Sequence, residues 1–387
     1  MSASSATERL QEELAAGPSA VVDRLVTLLR DEKSYHRLFD ALLLREKLAL
    51  GAPLTRPTAF DDVPSERRDD FEKAYVVAAR EVADLLLAEG KLSQAWVYFH
   101  AIRELTPLRE ALDKIVPSRE ADDRSEELIE VALFKGVHPL KGVETMLKTH
   151  GTCSTITALD QQFAQLKSED RSACAAAMVR QLHGDLMHNV SNEVKQRMPF
   201  ASPATSLREL VAGRDWLFAD SNYHIDVSHL NATVRFARAL SADQPELKLA
   251  RDLAEYGACL ASQFQYAGEP PFEEFYPAHQ HYFRFLLNEE RPLAEAYFRQ
   301  KLEQEPDAQD QTLIAYVLVD LLVRADRFDE AIPLAEQHLV DADGDFAAAF
   351  AELCEKAQRF DALKRSAERR GDLVTFTAAL LSQPAGK

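Results

Sequence analysis

A chain of 387 residues, 46% hydrophobic and 28% charged, is long enough for two cores or one elongated array, with the balance of a folded, soluble protein. The 63 acidic residues against 45 basic ones give a formal net charge of −18, a field that repels phosphate backbones and anionic membranes, so neither nucleic acid nor membrane is an expected partner. The four cysteines, Cys153, Cys174, Cys259 and Cys354, contain no C-x-x-C pair, which argues against a structural zinc module and a disulfide framework.

The opening "MSASSATERLQEEL" lacks a basic start followed by an apolar stretch, and "LFDALLLREKLAL" is interrupted by Arg45, Glu46 and Lys47. No secretory signal and no membrane-spanning run are therefore expected. Reduced thiols and a cytoplasmic location follow as expectations.

Residues 1–51 read as N-terminal helices, because Val22, Leu25, Val26 and Leu29, then Leu38, Leu42 and Leu43, recur at helical spacing. Gly51 and Pro53 end that run. A Pro-rich loop follows over 52–70, carrying Pro53, Pro57 and Pro64; such a loop either wraps the surface or forms a lid. Residues 71–198 are expected to be a helical region, with a break at "VHP" and a long final helix over about 170–197. "MPFASPATS", with Pro199 and Pro203, opens a linker over 199–225, and "DWLFAD" inside it is the one short strand candidate, without a partner. Residues 226–387 again read as helices.

Two places carry a more specific pattern. In "EVADLLLAEGKLSQAWVYFHAIRELTP", Ala83 and Leu86 precede a turn at Gly90, then Ala95, Phe99 and Pro107 follow. Small residues let two helices approach, Phe99 fills the groove between them, and Pro107 stops the second helix. Ala294, Phe298 and Pro306 repeat those intervals downstream, and Ala331 and Ala362 continue the series at spacings of 37 and 31 residues. This resembles the tetratricopeptide repeat, whose second helix carries Ala-x-x-x-Phe and then Pro eight residues after the Phe. The departures are the family's Trp and Gly, replaced by Ala79 and Ala83, and the bulky Tyr282 at a small position. The resemblance covers residues 73–108 and roughly 275–370. It implies an all-α array of helical hairpins, an α-solenoid of degenerate repeats possibly in two parts, and a scaffold that binds peptides or proteins.

Chemistry has fewer signals. There is no Gly-rich phosphate loop, no G-x-S-x-G and no H-E-x-x-H. His-x-Asp-x-x-His occurs twice, as His183, Asp185, His188 and as His224, Asp226, His229, the two starts being 41 residues apart. Imidazole and carboxylate ligands from both copies would suit a divalent metal and a hydrolytic water. Against this, His183 and His188 lie about 140° apart around a straight helix, so Asp185 and His188 are expected to pair instead. Asp226 is well placed to cap a helix. Cys153 beside His150 could form a nucleophile at a helix start, although a turn accounts for the same residues. His279, His281 and Tyr282 are candidate partner-binding residues on the first helix of a hairpin. The expectation is thus a non-catalytic protein- or peptide-binding scaffold without a cofactor. Its alternatives are a metal-dependent hydrolase on an all-α frame, using the paired histidine segments, and a helical regulatory subunit of a larger complex. Acidic composition favours basic or hydrophobic peptides as ligands.

Overall fold

In the computed structural model, residues 3–200, 202, 204–339 and 344–382 are described. Ala201 and Pro203 of the expected linker, and residues 340–343 and 383–387 of the expected C-terminal region, lie outside the described residues, as do the first two residues. All regular structure among the described residues is helical. "DWLFAD" is no strand: it belongs to a 3-10 segment, Asp215–Ser221. No helix is long and apolar enough to cross a membrane, among the described residues. The chain divides into two units, Met1–Thr155 and Ile156–Lys387.

The first unit contains α1 (Ala3–Glu13), α2 (Pro18–Asp31), α3 (Tyr35–Leu50), α4 (Arg68–Ala88), α5 (Leu92–Ala101), α6 (Thr106–Lys114), α7 (Asp123–Ile129) and α8 (Pro139–Thr149). The division falls within α9 (Gly151–Gln162). Helices α4 and α5 pack closely because Ala79, Ala83 and Ala95 are wholly buried between them, with Phe99 closing the groove. Pro107 sits in the first turn of α6, where its missing N–H costs nothing and its ring prevents α5 from running on. A π-helical turn, Glu130–Phe134, follows α7 and lies against α8, where a Cβ on Gly142 would come within 2.6 Å of Leu133 Cβ.

The Pro-rich loop wraps rather than swings free. Phe60 packs edge-on against Phe71, with ring centres 5.0 Å apart, and Ala52 and Val63 are buried. Lys47, on α3, is fully buried beneath the loop. Its ammonium donates to the Arg56 carbonyl at 2.6 Å, forms an ion pair with Asp62 and lies 5.5 Å from the centre of the Phe71 ring. A buried ammonium without those acceptors would be strongly unfavourable.

The second unit contains α10 (Ser168–Arg197), α11 (Leu207–Val211), α12 (Val227–Phe236), α13 (Glu246–Ala258), α14 (Phe275–Leu286), α15 (Arg291–Gln304), α16 (Ala308–Arg324), α17 (Phe328–His338), α18 (Gly344–Lys356), α19 (Phe360–Arg370) and α20 (Leu373–Ser382). Helices α13 and α14 meet at Gly257, where an added Cβ would stand 2.2 Å from the Tyr276 ring. Charge also ties the unit together: Arg251 of α13 bonds Asp252 at 2.8 Å and Glu289 at 2.5 Å, and Arg208 of α11 reaches Glu255. Bonded to several partners each, these charges are compensated in a half-buried setting.

Several hairpins share one joint. Lys33, Gly90, Asp326 and Gln358 have φ of 54°, 75°, 57° and 56°. In each case the next residue donates its N–H five residues back: Ser34 to Leu29 (2.9 Å), Lys91 to Leu86 (3.0 Å), Arg327 to Leu322 (2.9 Å) and Arg359 to Cys354 (2.8 Å). That bond satisfies a helix-end carbonyl while the left-handed residue reverses the chain. Only Gly90 is the residue that conformation favours.

Candidate functional site

The two His-x-Asp-x-x-His segments have different surroundings. Helix α10 runs unbroken through Gly184. His183 faces α13, its Nε2 3.9 Å from Asp252 and without a hydrogen bond, and burial lowers its pKa against the pull of Asp252. His188 is exposed and pairs with Asn192 at 2.9 Å, while Asp185 accepts from Gln181 at 3.0 and 3.1 Å. Asp185 and His188 therefore bond neighbours along the helix rather than each other.

The second segment is a helix entry. Asp226 caps α12, accepting from the N–H of Ser228 (2.8 Å) and His229 (3.3 Å), and these bonds, with the Ser228 hydroxyl first among them, lower its pKa. His224 turns inward: Nε2 lies 2.7 Å from Glu193, and Nδ1 lies 2.9 Å from the Tyr256 hydroxyl. Asn222 and Arg197 also hold Glu193, and Asn189 donates to the His224 carbonyl at 2.8 Å. The segments are thus joined through Glu193 and Asn189, two residues outside the motif. Among the described residues, no group of three or more His, Cys, Asp or Glu side chains is placed to hold a metal ion.

His279, His281 and Tyr282 also separate. His279 is buried between Phe272 and Phe275, both ring centres 4.3 Å away, and Nδ1 donates to the Phe275 carbonyl at 2.7 Å. Its Nε2 has no partner, and burial, with Arg238 nearby, drives its pKa down to about 3. His281 stacks on Tyr297 at 4.3 Å. Tyr282 is mostly buried, and it lines a cleft.

That cleft encloses about 420 Å³ and lies wholly within the second unit. It is lined by Arg171 (α10), Arg235 (α12), Arg238 (the turn after α12) and Arg324 (α16). The aromatic residues Phe163, Phe236, Phe272 and Tyr282 line it too, with Arg235, Arg238 and Arg324 lying over the rings of Phe236, Phe272 and Tyr282. Two of the guanidiniums are matched: Arg235 by Asp160 at 2.7 Å, and Arg324 by Asp320 at 3.0 Å. Tyr282 donates to the same Asp320 at 3.0 Å, and Arg324 donates to the Leu240 carbonyl at 3.0 Å. Arg238 lies over the Phe272 ring, 4.8 Å from its centre. Neither Arg171 nor Arg238 forms an ion pair with a carboxylate among the described residues; Arg238 donates to the Arg235 carbonyl at 3.4 Å, and Asp320 and Glu269 act on it from a distance. Burial lowers the pKa of Arg238, yet a guanidinium starts so high that it stays charged.

A second cleft of about 290 Å³ adjoins the first, lined by α16, α17 and α18. Tyr316 and Asp320 belong to both, so α16 is the wall between them. The sequence held one local hint of the first cleft. In "RFAR", Arg235 and Arg238 are three residues apart and so share one side of a helical turn. Arg171 and Arg324 are remote in sequence, and no basic run marks them. No protein-family model, no curated protein and no solved structure matches the chain.

Proposed function

We propose that the chain is a non-catalytic binding protein whose C-terminal hairpins form a short α-solenoid of tetratricopeptide-like repeats, presenting the α16 face to a protein or peptide. The observation that carries this reading is the pair of adjoining clefts sharing Tyr316 and Asp320. The first helix of a hairpin supplies the shared wall, as a groove along stacked hairpins requires.

Three further features support the stacking. Ala294, Ala331 and Ala362 are buried at the start of α15, α17 and α19. The turn at Asp326 is repeated at Gln358. A ladder of ion pairs links the second helices: Arg327 to Glu295 at 2.5 Å, Arg299 to Glu330 at 3.3 Å, Arg359 to Asp329 at 3.3 Å and Arg365 to Glu336 at 2.9 Å.

The test is selection of peptides from a random display library on the full chain, followed by affinity measurement on Tyr316→Ala and Lys356→Glu variants. Both residues line the second cleft, and Tyr316 lines both. Selected peptides should lose affinity for at least one variant. Failure to select any peptide, or unchanged affinity for both variants, would remove the reading.

A further inference from the structure

The cleft of Arg171, Arg235, Arg238 and Arg324 has a charge that its own residues leave unbalanced. Four arginines line about 420 Å³ of space, and Asp160 and Asp320 pair with two of them, which leaves two positive charges without an ion pair. Asp320 and Glu269 act on Arg238 from a distance, without an ion pair. Glu169 and Asp170, in the first turn of α10, do not line the cleft. Ser168, the first residue of α10, does line it, and that helix begins without a side-chain cap. Its first-turn N–H groups add partial positive charge at that edge.

We infer that this cleft binds a phosphate monoester carried on an apolar or aromatic body, with Arg171 and Arg238 as the guanidiniums that grip the phosphate. A monoester carries close to two negative charges at neutral pH and has three acceptor oxygens, which matches two unpaired guanidiniums better than a single carboxylate does. Phe163, Tyr316 and Val317 are the apolar or aromatic lining side chains with accessible surface, and they give the remainder of the ligand its contact, while Phe236 and Phe272 are buried beneath Arg235 and Arg238. Arg324 and Arg235 act differently, because Asp320 and Asp160 already hold them and fix the rim. Tyr282 supports this arrangement through its bond to Asp320. The inference deepens the binding reading above and rests on it for the accessibility of the α16 face. It also reverses the ligand charge expected from composition, because a local cluster outweighs a distant net charge once screening is considered.

Titration calorimetry on the full chain tests it, with phenyl phosphate, inorganic phosphate, succinate and a phosphotyrosine peptide as the probes. Phenyl phosphate should bind, inorganic phosphate more weakly, and succinate at least about tenfold more weakly. Arg171→Ala and Arg238→Gln should each weaken phenyl phosphate at least about tenfold. Arg238→Lys, which keeps the charge, covers the case in which the glutamine variant fails to fold. Phenyl phosphate binding without peptide binding supports the inference and leaves the peptide reading to fail alone; tighter binding of the phosphopeptide places the phosphate on a peptide side chain. Absence of phenyl phosphate binding, succinate binding of equal strength, or affinity unchanged in the Arg171 variant would overturn it, whatever unphosphorylated peptides do.

Discussion

The hydroxyl of Tyr256 is held by one residue through two atoms: the backbone N–H of His224 donates to it at 2.9 Å, and Nδ1 of the same imidazole lies 2.9 Å away. With Nε2–H directed at Glu193, Nδ1 is the acceptor and the phenol proton points to it. Burial raises the Tyr256 pKa, so the phenol stays protonated and keeps donating. Tyr256→Phe strands a backbone donor and a ring nitrogen together. It should destabilise the protein by about 1–3 kcal/mol, measured by urea unfolding, while melting shifts caused by added zinc stay the same as in the parent. A zinc effect present only in the parent would point to a ligand role for His224.

Lys47 makes a separate prediction in the first unit. Lys47→Met removes a charge and leaves Asp62 and the Arg56 carbonyl without their shared donor. The loop over 52–67 should then become sensitive to limited proteolysis and the melting temperature should fall by several degrees. Resistance equal to the parent would show that Phe60 and Val63 hold the loop unaided.

Two glycines should respond in opposite ways to one added methyl group. Gly257→Ala drives a Cβ into the Tyr276 ring and should cost at least about 2 kcal/mol. Gly184→Ala lies mid-helix in α10 with nothing within 4 Å, and should stabilise by about 0.5–1 kcal/mol. Thermal unfolding of the two variants checks the pair, and a loss at Gly184 would contradict the straight α10.

His279 predicts a pH dependence. Its pKa is lowered to about 3 in the fold from an ordinary 6.5, so below 6.5 the unfolded chain takes up a proton that the folded chain refuses. This contribution to stability is complete above the unfolded value and declines as pH falls toward 3, by up to about 1.4 kcal/mol per pH unit. In His279→Leu that component should vanish, giving a shallower decline between pH 6 and pH 4 in denaturant titrations. Parallel curves for the two proteins would refute it.

Much of the helical frame was legible because its causes are local. Apolar spacing located α2 and α3, and the small residues at Ala83, Ala95, Ala294, Ala331 and Ala362 all turned out buried. The capping role of Asp226 was legible for the same reason. Other features depend on contacts between distant residues. Lys47 reads as a solvated interruption of an apolar run, and only the returning loop supplies the acceptors that bury it. The joints at Lys33, Asp326 and Gln358 carry no glycine, so the helix-to-helix turns there have no strong turn signal. The cleft drew its arginines from α10, α12, the turn after it and α16, a convergence that spacing within any one segment does not encode.

The arginine cleft is set in a chain of net charge −18. An anion therefore approaches against the molecule's field and is attracted only within the last few ångströms, inside roughly one Debye length of about 8 Å at physiological ionic strength. Added salt then acts on the two phases of the encounter in opposite senses. It screens the outer repulsion and quickens arrival, and it weakens the inner grip and shortens residence. Such a site favours ligands whose charge is compact and whose remaining body is neutral, because a polyanion meets the repulsion along its whole length.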